Sequence, residues 1–311
     1  MTGTEPYAIG ALSSVEEVQA HWWPLLQELG WNRDKSDAEG HFLACQNGKT
    51  WLHIIPDSST RPEGSVMACI YPNRTGWVGC FIMNAAFRGK GLGRELWKEM
   101  DITFRRYAIT KIGLDGVPEQ VNTYKRRGFE SVGEIPCMTR SSLDCKPATT
   151  PVNLEEGVEL QDLRDIDSKE LAKLDLEHTG LDRTAYWVDA SQTTRRGCFG
   201  FGIVKEGKLT GFIFVRNVEN GSRFGPLYAE TYAEAKQLLH KAMNDARRSA
   251  GYHTEVFGNN PEARRVFEDL GWEYAGLTFD RMWLHGRVPE EQLETGKGGK
   301  GMYAIFDAAC G

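Results

Sequence analysis

The densest chemistry in the chain lies in residues 87–97, Phe-Arg-Gly-Lys-Gly-Leu-Gly-Arg-Glu-Leu-Trp, where Gly89, Gly91 and Gly93 fall within five positions. Glycine lets a backbone take positive φ and approach a ligand closely. At a helix start, successive N–H groups and the helix dipole together make a seat for an anion. Arg88, Lys90 and Arg94 add neutralising charge. These residues predict a pyrophosphate cradle. A P-loop would need glycine at 84 and Ser or Thr at 91, where the chain has Asn84 and Gly91. A dinucleotide fingerprint would need glycine at 94, which is Arg94, although Asp115 stands at a distance that could mimic its ribose-binding acid.

The cradle needs a strand before it and a helix after it, and the sequence supplies both. Residues 77–83 read as a β-rich run, and Leu92, Leu96, Met100 and Phe104 recur every four residues, predicting an amphipathic helix over 91–107. A buried strand at 111–114, a helix over 119–127 and a strand after Phe129 follow. Upstream, 7–12 reads as an edge strand. Ser14 through Glu17 has capping-box spacing for a helix running to about Leu29, and strands are expected at 51–55 and 66–71. The stretch 141–157 carries two prolines, several Ser and Thr, and no apolar period, which predicts a linker at 143–157. Beyond it, β-rich runs at 199–204 and 210–215 precede a helix over 231–250, a Gly/Lys-rich loop (GKGGKG) and an apolar run at 302–306. A shift of 143 residues lays Pro118, Glu119, Gly128, Glu130 and Gly133 on Pro261, Glu262, Gly271, Glu273 and Gly276, and Tyr124 on Phe267. That echo points to an internal duplication.

The pattern left for the loop is Arg/Gln-x-x-Gly-x-Gly/Ala, here Arg88 through Gly93. It resembles the acetyl-CoA loop of the GNAT superfamily of N-acetyltransferases. Downstream, Val121 through Glu130 (VNTYKRRGFE) is similar to that family's "LYxKxGFE" segment. Asp115-Gly-Val-Pro118, Gly225-Pro-Leu-Tyr-Ala229 and the Tyr303-Ala-Ile305 run resemble its YitH-like branch, and this likeness spans essentially the whole chain. The resemblance implies an α/β (α+β mixed-sheet) fold of two tandem GNAT-like domains. Each would be a twisted, mostly antiparallel sheet with flanking helices: 1–142 catalytic, 143–157 linker, 158–311 degenerate and on the substrate side.

For mechanism, the resemblance implies that the strands flanking the loop and its helix splay apart around the pantetheine arm of acetyl-CoA. Ile82 and Met83 would offer it backbone groups, and Arg88, Gly89, Lys90, Gly91, Leu92, Gly93 and Arg94 would hold the pyrophosphate. An amine attacks the thioester directly, and Tyr124 matches the tyrosine that returns a proton to the leaving thiolate. A phenol with pKa about 10 stays protonated at neutral pH, as an acid must. Asp115, at the end of the 111–114 strand, is the first candidate for general base, with Glu119 or a water relay as alternatives. Cys80 reads as a packing residue. Trp22, Trp23 and Trp51 could line a pocket, and Arg126 and Arg127 read as solvated, though one could reach the CoA 3′-phosphate. In the second half, Asn220 through Pro226 is the glycine-rich counterpart and Phe267 replaces the tyrosine, so no productive CoA binding is expected there.

Composition narrows the partners. The 311 residues are 41% hydrophobic and 26% charged, with no run long enough to span a bilayer. The first ten residues lack the features of a secretory leader. Seven cysteines without a CxxC pair predict reduced thiols, a cytoplasmic setting and no metal. Residues 1–150 carry 17 basic and 17 acidic side chains, and 151–311 carry 20 and 26, so the net charge of −6 sits in the second half. That balance argues against nucleic acid and would suit a cationic amine. The expected function is acetyl-CoA-dependent N-acetylation of a small-molecule amine. A protein or peptide amine, a CoA-binding sensor without turnover, and a nucleotide-dependent oxidoreductase are the alternatives.

Overall fold

The computed structural model describes residues 5–141, 158–246 and 251–311; the expected linker at 143–157 lies outside the described residues. The first half contains β1 (Tyr7–Ala11), α1 (Val15–Glu28), α2 (Asp37–Ala44), β2 (Trp51–Pro56), β3 (Gly64–Ile70), β4 (Thr75–Met83), α3 (Leu92–Arg106), β5 (Lys111–Gly116), α4 (Val121–Lys125) and β6 (Phe129–Arg140). The second contains β7 (Val158–Asp162), α5 (Ser168–Thr179), β8 (Cys198–Lys205), β9 (Lys208–Val218), β10 (Gly221–Tyr228), α6 (Tyr232–Asp245), β11 (Tyr252–Glu255), α7 (Ala263–Glu268), β12 (Glu273–Leu284), α8 (Lys297–Gly301) and β13 (Met302–Ala304).

The strands join one twisted sheet in the order β1-β2-β3-β4-β5-β12-β6-β11-β10-β9-β8-β7, with β13 beside β10. Pairing is antiparallel except at β4–β5 and β10–β11, each held by three registered pairs. The order contains an exchange. β12, from the second half, lies between β5 and β6 of the first, and β6 lies between β12 and β11. The duplication is visible in the equivalences β4/β10, α3/α6, β5/β11 and α4/α7, with Tyr124 on α4 and Phe267 on α7 both buried.

Each helix follows from its sequence pattern. The four-residue period of α3 puts Leu92, Leu96, Met100 and Phe104 onto Leu52, Ile54, Val66 and Val78 of the sheet, in a core of first-half residues completed by Met282 of β12. A second core packs α6 and α7 on the strands of the second half. On the opposite face, one apolar cluster draws α1, α2 and α5 together with Trp51, Trp77 and Trp283, so it is shared by both halves. At the start of α1, the Ser14 hydroxyl accepts from the Glu17 N–H at 3.2 Å. The return bond to the Glu17 carboxylate comes from Ser13 rather than Ser14.

Helix α2 has no counterpart among the elements expected from sequence; it forms by burying Ala38 and Ala44 in the shared cluster and His41 against Trp22 and Trp51. One expectation needs revision. The GKGGKG segment is the short helix α8 and not a loop. A Cβ on Gly298 would stand 2.0 Å from the His178 carbonyl, so only glycine lets this turn pack on α5.

Two buried histidines make stability pH-dependent. His41 Nδ1 lies 2.8 Å from the Tyr186 hydroxyl, its Nε2 has no partner, and burial pushes its pKa down to about 4. His178, stacked 4.4 Å from the Tyr228 ring, is likewise pushed down to about 4 by burial. Because the unfolded chain takes up these protons first, near pH 6.5, their contribution is complete above that pH and is lost as pH falls toward 4. Urea unfolding at pH 5 is expected to show a loss of roughly 2 kcal/mol per histidine relative to pH 7. An unchanged midpoint would contradict the neutral state of both rings.

Candidate active site

The expected cradle forms where β4 hands over to α3. The Asn84 side chain accepts from the Ala86 N–H at 3.1 Å and starts one 3-10 turn, Ala85–Phe87. The chain then runs extended through Arg88 and turns through Gly89 (φ +77°) and Gly91 (φ +88°) into the helix. Positive φ at both positions is why glycine stands there. No side chain caps α3. Among the described residues no hydrogen bond uses the N–H of Gly89, Lys90 or Gly91, while those of Arg94 and Glu95 return to the Gly91 carbonyl. The donors of Leu92 and Gly93 have no acceptor within the helix. This leaves a run of free donors at the positive end of a fifteen-residue helix.

A cleft of about 970 Å³ opens beside this turn. Ile82, Met83, Arg88, Gly89, Gly91, Gly93 and Arg94 line it, whereas Lys90 and Leu92 do not. The Lys90 ammonium sits 4.3 Å from the Phe87 ring centroid, and the Leu92 side chain is fully buried in the first core. Leu92 can therefore meet an anion only through its backbone N–H, whereas the exposed Lys90 ammonium stands beside Phe87, which lines the cleft. The Met83 carbonyl already accepts from Arg88 Nε at 3.0 Å.

The cleft exists because two strands part. β4 and β5 pair only at Thr75–Lys111, Gly76–Ile112 and Trp77–Gly113, and both continue beyond that point without each other. The divergence begins near a bulge at Cys80 (φ +44°), where the β3–β4 register slips. Burial pushes the Cys80 thiol up to about 12, which keeps it a neutral packing group. Tyr124 also lines the cleft, 8% exposed, with its ring 5.7 Å from that of Trp97 on α3. Burial raises its pKa to about 12, opposed by nearby Arg127. Arg127 is not a solvated helix residue. Its guanidinium lies 3.9 Å from the Trp97 ring centroid, lines the cleft, and has one buried nitrogen without a partner.

Asp115 also lines the cleft, but not as the free carboxylate expected of a base. Its two oxygens accept from Arg281 Nε at 2.8 Å and Nη2 at 2.7 Å, and both side chains are buried. Arg281 comes from β12, in register with Asp115. The pair fastens the exchanged strand, so Asp115 positions the cleft wall. Glu119 lines the same cleft, exposed and without an ion pair among the described residues.

The opposite end of the cleft is assembled from distant segments: Trp31 and Arg33 after α1, Arg223 on β10, Glu255 on β11, Leu277 and Phe279 on β12, and Ala308–Ala309. Sequence reading missed this set, and no local signal marked it. Trp22 and Trp51, expected as pocket residues, are instead core, with ring centroids 5.5 Å apart. Trp31 is the tryptophan that reaches the cleft. Of the described acidic residues in the second half, only Glu255 lines it.

Among the described residues, the second half closes the corresponding gap in its own sheet. Residues 220–226 are not its cradle: they run into β10, the counterpart of β4. The true counterpart, before α6, is capped by Thr231, whose hydroxyl accepts from the Glu234 N–H, and the Glu234 carboxylate accepts from the Glu230 N–H at 3.1 Å. Where β10 and β11 part, the chain fills the gap itself. β13 pairs with β10, and the Ile305 N–H donates to the Glu255 carbonyl at 3.0 Å.

Residues 12–129 match the model of the acetyltransferase (GNAT) family, and residues 171–295 match that of an acetyltransferase (GNAT) domain. The chain is 28% identical to holothin acyltransferase of Pseudoalteromonas sp. (strain SANK 73390) over 232 residues, 74% of this chain and 72% of that protein. Among solved structures, it is similar to a candidate acetyltransferase from Pyrococcus horikoshii (TM-score 0.72, 19% identity, covering 98% of this chain and 96% of the other). It is also similar to a tandem GNAT protein from the clavulanic acid biosynthesis pathway (TM-score 0.64, 14% identity, 89% and 98%). The chain belongs to the GNAT superfamily of acyltransferases, with two GNAT domains in tandem. Among the described residues, no group of three or more His, Cys, Asp or Glu could hold a metal ion, and no helix is long and apolar enough to cross a membrane.

Proposed function

We propose that the chain transfers an acetyl group from acetyl-CoA to a primary amine of a small molecule, by direct attack in a ternary complex in the first-half cleft. The observation that carries this reading is the run of free N–H donors over 89–93, with Arg88 and Arg94 beside it, at a cleft that Tyr124 also lines. Acetyl-CoA supplies the activated thioester; everything else is done by the chain. The 88–94 turn holds the pyrophosphate, and the parted edges of β4 and β5, at Ile82 and Met83, flank the pantetheine arm. Tyr124, held protonated by burial, delivers a proton to the departing sulfur. With Asp115 committed to Arg281, the amine proton passes to Glu119, directly or through water. The described cysteines are all free thiols, which suits a reducing, cytoplasmic setting.

Thermal unfolding with acetyl-CoA, CoA and NADPH tests the cradle. Acetyl-CoA at 100 times its Kd is expected to stabilise the protein by about 2.7 kcal/mol. The Arg88→Ala/Gly91→Glu variant, which adds a carboxylate and strains the turn, is expected to show no shift. A shift with NADPH and none with either CoA would sink the reading.

A further inference from the structure

The distal end of the cleft is built on a buried ionic network whose charges do not balance. Arg33 meets Asp307 at 2.9 Å and Glu255 at 3.5 Å, and Arg223 pairs with Glu255. Arg216 pairs with Asp307 and lies 3.6 Å from Asp37, which Arg195 meets at 2.7 Å. Four guanidiniums thus share three carboxylates, and none of these side chains is more than 11% exposed. The neighbouring titratable groups do not restore the balance. Burial holds His41 neutral, lowers the pKa of His253, and keeps the Cys80 and Cys137 thiols protonated.

An uncompensated buried cation is costly, and an anion that can reach it relieves that cost. Of the seven network residues, Arg33, Arg223 and the Glu255 they share face the cleft, so two guanidiniums meet one carboxylate there, and Arg223 Nε is buried with no partner. Both guanidiniums lie within electrostatic range of Cys137, and Arg33 within range of Cys80 at the bulge where β4 leaves β5. The positive site therefore lies near the bulge where β4 leaves β5 and is built from residues other than those of the 88–94 turn. Trp31, Leu277 and Phe279 supply an apolar wall at the same end.

Resting on the acetyltransferase reading above, we infer that the acceptor is an amine that also carries a carboxylate and an apolar body, with the carboxylate received by Arg223 and Arg33. A guanidinium matches a carboxylate in shape as well as charge.

Calorimetry on the full chain tests this without knowledge of the natural acceptor. CoA is titrated first. Onto the CoA complex, N-acetylphenylalanine, its amide and N-acetylphenethylamine are then titrated as product-like probes. The acid is expected to bind at least tenfold more tightly than either neutral probe, and Arg223→Gln is expected to erase that difference while CoA affinity persists. Failure of CoA to bind would remove the acetyltransferase reading itself. With CoA bound, equal affinities for the three probes, or binding of none, would overturn the carboxylate proposal alone. The wild-type comparison stands even if the variant does not fold.

Discussion

Tyr124→Phe is expected to lower kcat by about 10²- to 10⁴-fold, the range a positioned general acid supplies, while leaving the affinity for acetyl-CoA in place. The ring is buried against Trp97 and Phe129, and phenylalanine keeps those contacts. Only the proton is lost. Because burial holds the phenol near 12, the wild-type enzyme should keep its acid protonated through pH 10. The alkaline limb of kcat should therefore lie above that pH, not at the ordinary tyrosine value. Steady-state rates read from released thiol, with acetyl-CoA Kd measured separately, check both parts. A variant with unchanged kcat would remove Tyr124 from the chemistry and favour a CoA-binding module without turnover.

The second large effect concerns the clamp on the exchanged strand. Arg281→Met is expected to destabilise the protein by about 3–5 kcal/mol, because it leaves the buried Asp115 carboxylate without its counter-ion. Arg281 also donates to Gln292 at 3.2 Å and lies 4.8 Å from the Trp77 ring centroid, so contacts from three elements go with it. The double variant Asp115→Leu/Arg281→Met is expected to recover much of that loss, since an apolar pair of similar volume avoids burying any charge. Urea unfolding of the wild type and the two variants decides it. A double variant no more stable than Arg281→Met would show that packing, not charge, holds this joint. A double variant that still turns over would also confirm that Asp115 is not the base.

What the sequence revealed and what it hid divide along chain proximity. The 88–94 turn was legible because every group that forms it is contiguous and glycine marks its positive φ angles. Tyr124 and Asp115 could be placed in the cleft for a similar reason: one strand and one short helix carry them back beside the turn. The roles were harder. Nothing near Asp115 announces Arg281, 166 positions away, and that partner turns a candidate base into a structural anchor. The distal end of the cleft could not be read at all, because residues 31, 33, 223, 255, 279 and 308 meet only in the folded chain. The strand exchange was equally hidden, since an alternating strand does not specify which neighbour it will have. In the second half, glycine at 221 and 225 drew attention to a strand, while the true counterpart of the cradle, capped by Thr231, carries no glycine signal.

The exchange has a consequence for how the protein is made. In synthesis order, β6 emerges with no partner of its own half, since both of its neighbours, β11 and β12, come from the second. Its edge must wait for residues 252–284. At translation speeds of about 5–20 residues per second, that delay is on the order of ten seconds. For that interval the nascent first half displays unpaired β edges, at β6 and along the far side of β5, the kind of surface that invites pairing between chains. The half that carries the cleft is therefore not a portable module. Its sheet closes only when the other half has been translated, and a release of the chain before about residue 284 leaves the cleft without one of its walls.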